Sequence, residues 1–250
     1  MSTVNEHYER LLSQHYTWMF GVSFEEKVTE QKSFLSRTLA PLHYTRQNAL
    51  AVDLGCGPGF QTIALAQLGF SPVIAIDTSA ALLDELRSHV GSLPVRTEKA
   101  DLRNLPAVVQ TGQATVIVCM GDTLTHLPDS RDVSALFGSV FDSLRSGGVF
   151  VITYRDLTTE LFGTDRFIPV RSDENKIMTC FLEFENQDSV MVHDLVYLRQ
   201  DSGWSLNKSR YRKLRLGIAW IREELSRAGF DMVSEDVSGR LVGLAAVKPV

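Results

Sequence analysis

The stretch Ala51-Val52-Asp53-Leu54-Gly55-Cys56-Gly57-Pro58-Gly59-Phe60 constrains the fold of this chain more than any other. From Ala49 to Leu54 every residue is apolar except Asp53, as expected of a parallel strand buried on both faces. Gly55, Gly57 and Gly59 then remove alternate Cβ atoms, so the backbone can turn sharply and a ligand can come close to it. Gln61 to Leu68 reads as a helix that stops at Gly69. A strand, a glycine turn and a helix N-terminus in that order make a nucleotide-binding corner of an α/β sheet.

The spacing of the glycines narrows the choice of nucleotide. A dinucleotide fingerprint, G-x-G-x-x-G, would put its third glycine at position 60, where the chain has Phe60. Asp53-Leu54-Gly55-Cys56-Gly57-Pro58-Gly59 reads acidic-x-G-x-G-x-G instead. In this motif the chain resembles the class I S-adenosylmethionine-dependent methyltransferases of the small-molecule type. The resemblance implies S-adenosylmethionine as cofactor and S-adenosylhomocysteine as product, held around Asp53, Gly55, Cys56, Gly57 and Gly59. It also implies a Rossmann-like α/β fold: a seven-stranded, mostly parallel sheet with helices on both faces. A bare structural turn in another α/β domain is the competing reading.

Two more acids stand where that fold needs them. Pro72 to Asp77 is an apolar run ending in a carboxylate 18 residues beyond Gly59. At the end of a second strand Asp77, with Thr78 beside it, can accept hydrogen bonds from both ribose hydroxyls. Alternatively Asp77 caps the helix Ser79 to Val90, although Thr78 or Ser79 can do so without it. Val95 to Ala100 is the third strand, followed by Asp101-Leu102. The resemblance implies that Asp101 reaches the adenine amino group with Leu102 against the ring; a solvated loop aspartate is the alternative.

Composition limits the partners. The chain has 250 residues, 44% hydrophobic and 22% charged, the range of a soluble globular domain. A net charge of −5 argues against a dedicated nucleic-acid binder. No stretch approaches the ~20 apolar residues of a membrane span, and residues 1–6 have no basic leader or apolar core. Cys56, Cys119 and Cys180 are odd in number and lack metal-ligand spacing, which fits a reducing, cytoplasmic setting. No carboxylate pair is recognisable as a metal clamp. The oligomeric state is open, a homo-oligomer included.

The chain reads as one domain over 1–250. Residues 1–45 predict two helices, with Tyr8, Leu11, Leu12, His15 and Met19 on one and Phe24, Val28, Phe34 and Leu35 on the other. In the resembling family such a segment lies over the cofactor as a lid. Residues 46–156 form the cofactor-binding core, with Ala114–Cys119 as strand four, Asp132–Leu144 as a helix stopped by Gly147-Gly148, and Val149–Tyr154 as strand five. Residues 170–217 alternate, predicting three antiparallel strands over Ile177–Phe184, Val190–Leu198 and Trp204–Leu216. They form an add-on sheet or extend the main one. Residues 218–250 give a final helix and the strand Leu241–Val247.

Methyl transfer needs placement more than acid–base chemistry, since orientation supplies most of the acceleration. The place to look is therefore beyond the carboxyl ends of strands four and five. After strand four, Met120 and Gly121 are expected against the methionine portion of the cofactor. Asp122 and His126 are candidates to receive a proton or orient the acceptor; capping a turn and bracing the loop are the competing readings. The family's Asn/Asp-Pro-Pro-aromatic motif of nucleic-acid and glutamine modification is missing here, and the segment is similar to glycine- and sarcosine-type enzymes. After strand five, Tyr154 is expected to point its phenol into the crevice, and Arg155 to grip a carboxylate or phosphate. An Arg155–Asp156 surface pair is the plainer alternative. Tyr16 and Trp18 are expected to line the acceptor side of the lid. The basic run Lys208, Arg210, Arg212, Lys213, Arg215 reads as a solvated face. The function expected is methyl transfer to an amine or hydroxyl of a small molecule. RNA or protein modification, or a non-catalytic S-adenosylmethionine binder, are the alternatives.

Overall fold

The computed structural model of the protein describes residues 4–40 and 48–250. Residues 1–3 and 41–47 of the expected leading segment lie outside them. Strands β1 (Ala51–Leu54), β2 (Val73–Asp77), β3 (Val95–Lys99), β4 (Ala114–Cys119) and β5 (Leu144–Arg155) come first. They are followed by β6 (Phe167–Ser172), β7 (Lys176–Phe184), β8 (Ser189–Gln200) and β9 (Gly203–Leu214), then by β10 (Asp231–Ser238) and β11 (Leu241–Val247). The main sheet has seven strands in the order β10-β11-β5-β4-β1-β2-β3. β1 to β5 pair in parallel, and β11 and β10 close the edge antiparallel. β1 lies between β2 and β4, so chain order reverses there. The crevice beyond its carboxyl end is where an open α/β sheet takes its ligand.

Alternation along the apolar strands feeds two cores. Ala51 packs with Val116, Val118 and Val151 against Leu35, Leu65 and Leu83 on one face. Val52 and Leu54 pack with Ile117, Phe137, Phe150 and Ile221 on the other. Helices Phe24–Leu39, Phe60–Gln67 and Ala80–Val90 cover the first face, and Ser130–Ser143 and Ile218–Arg227 the second. Leu35 and Leu83 have no exposed surface. Truncating either to Ala would cost about 2–5 kcal/mol.

The second sheet is separate, four-stranded and antiparallel, in the order β6-β7-β8-β9. Its first strand, β6, was not expected. Pro169 argues against a strand, and β6 tolerates it because it is an edge strand whose register shifts between Pro169 and Arg171. β10 was likewise hidden by its polarity: all eight of its residues are exposed. The helix before β5 ends at Ser143 rather than at the glycines, and the strand begins at Leu144 and runs through Gly147-Gly148. In the leading segment the second helix, Phe24–Leu39, is continuous and closed by a reciprocal Ser23–Glu26 capping box. The first is broken into short α, π and 3-10 turns between Val4 and Met19. Among the described residues no helix is long and apolar enough to cross a membrane.

Candidate active site

β1 ends at Leu54 and the chain turns at once. The Gly55 and Cys56 amides both donate to the Ile76 carbonyl, at 2.8 and 3.0 Å. Gly55 has φ +68°, and a Cβ there would lie 2.2 Å from Thr123 Cγ2; at Gly59, φ +96°, one would lie 2.1 Å from Leu86 Cδ1. Both positions therefore exclude any side chain. The turn opens on a cavity of about 320 Å³. It is lined by Gly55 and Gly57 of the turn, by Asp77, Thr78 and Leu82 at and after the end of β2, and by Ala100, Asp101, Leu102 and Arg103 after β3. Thr123 and His126 from the loop after β4, and Tyr8 and Tyr16 from the leading segment, also line it.

Asp77 accepts hydrogen bonds from the Gly57 amide to Oδ2 and the Ser79 amide to Oδ1, both 2.8 Å. Burial pushes its pKa up against those bonds. Ser79, not Asp77, caps the following helix by accepting from the Leu82 amide. Asp101 pairs with Arg103, 2.7 Å between Oδ2 and the guanidinium, and the bonds from Arg103 hold its pKa down. Arg103 was not singled out in the sequence.

Asp53 does not line the cavity. It is buried at 1% exposure and accepts a 2.6 Å hydrogen bond from Thr62 Oγ1, bracing the helix after the turn against β1. Burial pushes its carboxyl up to about 7, outweighing the Thr62 bond. Cys56 and Gly59 also sit behind the lining. The Cys56 thiol is buried and pushed up by that burial, and Gly59 packs on Leu86. Met120 is buried and its carbonyl accepts from Thr123 Oγ1 at 2.9 Å. The Gly121 amide donates to Thr153 Oγ1 at 2.9 Å. Tyr16 lies over both Gly57 and Gly121.

Beyond the cavity, Asp122 has φ +73° and is 4% exposed. Its Oδ1 accepts from the Arg155 amide at 2.7 Å, and its Oδ2 from Lys213 Nζ at 2.9 Å and from the Arg155 guanidinium. Burial raises its pKa, but Lys213 and Arg155 outweigh that and hold the carboxyl well below its usual range. Such a group is held as an anion by its two cationic partners. Arg155 therefore pairs with Asp122, not with Asp156. His126 lines the cavity with its ring between those of Tyr8 and Tyr211, at 5.6 and 5.4 Å. Its Nε2 is enclosed and has no hydrogen-bond partner among the described residues. Burial first, then Lys213, pushes its pKa down to about 3.

Two expected acceptor-side residues point elsewhere. Tyr154 is fully buried in the core and does not line the cavity, with its hydroxyl unpartnered among the described residues. Trp18 turns to the second sheet: its indole donates to Asp173 at 2.6 Å and lies between Arg171 and Lys176. Tyr16 and Trp18 are two residues apart on a helical turn, hence on opposite sides. Lys213 and Tyr211 were missed as site residues. Their spacing of two on β9, which puts both on its inward face, was the available signal.

Residues 51–148 match the family model described as a methyltransferase domain. The chain is similar to the glycine/sarcosine N-methyltransferase of Parasynechococcus marenigrum, 25% identical over 162 residues covering 63% of this chain and 55% of that protein. It is 30% identical to the trans-aconitate 2-methyltransferase of Deinococcus radiodurans over 156 residues, 55% of this chain and 56% of that one. The chain thus matches a little over half the length of these relatives. Its fold is that of an S-adenosylmethionine-dependent methyltransferase from Clostridium acetobutylicum, with TM-score 0.76, 18% identity and coverage of 97% and 96% of the two chains. The CcbJ methyltransferase of Streptomyces caelestis gives TM-score 0.77 at 18% identity, covering 97% and 98%. Residues 51–148 thus match a methyltransferase-domain model, and nearly the whole chain shares the fold of these methyltransferase structures.

Proposed function

We propose that this protein transfers a methyl group from S-adenosylmethionine to the nitrogen of a small-molecule amine. The residues fit a sulfonium nucleoside. The glycine turn leaves room for backbone contact, and Ala100, Leu102 and Leu82 offer an apolar flank to a base. Asp77 accepts from the Gly57 and Ser79 amides, with the Thr78 amide contributing as well, and its remaining acceptor capacity is available to ribose hydroxyls. Asp101 takes the adenine edge. S-adenosylmethionine, when bound, supplies an electrophilic methyl carbon whose bond to sulfur breaks as the acceptor lone pair arrives.

The observation that carries the amine reading is the lack of a strong base on the acceptor side among the described residues. Asp122 is held anionic by two cations, and His126 is pushed down to about 3. The phenols of Tyr8, Tyr16 and Tyr211 are all pushed up by burial, so none serves as a phenolate. A hydroxyl acceptor would have to surrender its proton to become nucleophilic. A neutral amine brings its lone pair ready, and the proton leaves with the product. The N-methyltransferase relative supports this choice. Tyr16 closes the site over Gly57 and Gly121 and excludes water. Arg155 keeps 59% of its side chain exposed and offers its free N–H groups to an anionic group on the acceptor. Three free cysteines fit a reducing cytoplasm.

Calorimetry with S-adenosylhomocysteine, followed by labelled methyl transfer to matched amines and alcohols, tests the reading. Binding and methylation of amines alone are expected. Methylation of alcohols alone would overturn the amine assignment, and lack of affinity would overturn the whole.

A further inference from the structure

One face of the four-stranded sheet is covered and the other meets solvent. On the covered face Met178, Leu182, Val192 and Val196 are buried against Leu157 and against Leu11 and Leu12 of the leading segment. Alternation sends every second residue to the other side. There Phe167 is 51% exposed, Trp204 47%, Leu206 43% and Ile177 37%. Phe167 and Phe181 meet at 4.7 Å between ring centroids, and His193 follows Phe181 at 5.5 Å. The strand register sets this face out in three rows from β6 to β9. They are Phe167-Phe181-His193-Arg210, then Pro169-Thr179-Leu195-Lys208, then Ser172-Ile177-Tyr197-Leu206. Apolar groups therefore run diagonally across the face, while the exposed cations Lys208 and Arg210 stand on the edge strand β9. A contiguous apolar surface of this kind marks a contact site more often than a bare wall.

We propose that a second copy of this chain covers that face, the two four-stranded sheets packing as a sandwich about a two-fold axis that runs along their strands. Area sets the first condition. Nine residue pairs join β7 to β8, so at ~3.4 Å per residue and ~4.8 Å per strand the face measures about 600 Å² in plan. Specific interfaces bury roughly 600–1,000 Å² per partner. Contact over the whole face reaches that range, and contact along one edge does not. Charge then chooses the axis. A two-fold across the strands would lay β9 on β9 and set Lys208, in the middle row, against its own copy. A two-fold along the strands lays β6 on the second copy's β9 and β7 on its β8. Ile177 then opposes Tyr197, Thr179 opposes Leu195, and Phe181 opposes His193, each pair formed twice as a closed contact requires. Phe167 receives Arg210 against its ring, a favourable cation–π pairing. The strands of the two sheets stay aligned, as they do in sandwiches. The basic run on β9 stays at the rim, in water, and disfavours the wrong orientation. None of this depends on the methyl-transfer reading.

Analytical ultracentrifugation of the full chain should show a dimer at micromolar concentration. Ile177→Glu puts an unpaired carboxylate into each half of the contact and should raise the dimer Kd about a hundredfold or more. Should that variant not fold, Leu206→Glu carries the same readout. Val237→Glu, at an exposed position of β10, should leave the Kd unchanged. Cross-linking tests the axis, with wild-type chains as the control for the native cysteines. Ile177→Cys chains mixed with Tyr197→Cys chains and treated with a short bis-maleimide should give linked heterodimers in excess of either homodimer. Lys208→Cys chains alone should stay unlinked. A protein still monomeric at about 100 μM would overturn the proposal. So would a dimer that Ile177→Glu and Leu206→Glu leave intact, or one that Val237→Glu disrupts. Efficient linking of Lys208→Cys to itself would overturn the axis. A monomer that binds a single-stranded oligonucleotide, and loses it in Trp204→Ala, would give the face to nucleic acid and overturn the self-contact.

Discussion

Asp53 and Asp122 are both buried carboxylates at the carboxyl end of the parallel sheet, and their chemistry is opposite. Asp53, on β1, is bonded by the hydroxyl and backbone of Thr62 and by no cation among the described residues, so burial dominates and its carboxyl rises to about 7. Asp122, after β4, meets three donors, two of them cationic, and is driven far below its ordinary value. Desolvation works against ionisation at both sites; the partners decide the sign. The nucleoside side of the crevice is therefore braced by a carboxyl poised between its two forms. The acceptor side is organised around a permanent charge.

The contrast can be broken most severely at Asp122. Asp122→Ala leaves Lys213 buried without its counterion and should cost about 3–5 kcal/mol, read from chemical denaturation at pH 7. Because the folded pKa is depressed, the contribution is complete above the unfolded value near 3.9 and is lost only as pH falls below about 4. Asp53→Asn tests the other sign. With a folded pKa near 7 the native state keeps a proton that the unfolded chain releases above about pH 4. Wild-type stability should therefore decline between about pH 4 and 7, by at most roughly 4 kcal/mol, and the asparagine variant should lose that slope. A flat wild-type profile would show that Asp53 is already ionised.

Asp77→Ala should weaken S-adenosylhomocysteine binding about tenfold or more, since bonds to a charged group contribute about 1.5–3 kcal/mol each. Unchanged affinity by calorimetry would remove Asp77 from the nucleoside side. The smallest effect is expected at Tyr154. Its buried hydroxyl has no partner among the described residues, so Tyr154→Phe should leave turnover unchanged and stability equal or slightly higher. A fall in kcat would return Tyr154 to the acceptor side.

The glycine turn and the acids beside it were legible in the sequence because they lie close together along the chain. A turn with φ +68° at Gly55 and +96° at Gly59, each hard against a neighbour, has essentially one residue type as its solution. The acids ending β2 and β3 follow from strand periodicity. The acceptor side resisted reading because its pairs join distant parts of the chain: His7 with Asp194 and Asp122 with Lys213. Lys213 looked solvated as one cation in a basic run; only the closure of β9 over the loop buries it. Tyr154 was expected at the crevice but is fully buried in the core. β6 was obscured by Pro169, whose missing donor matters little on an edge.

Thr123 fills the space that a side chain at position 55 would need, and its hydroxyl reaches the carbonyls of both Met120 and Gly55. One small residue thus serves as the keystone between the two halves of the crevice. A bulkier residue at position 123 would press on the glycine turn, and any side chain at position 55 would meet Thr123.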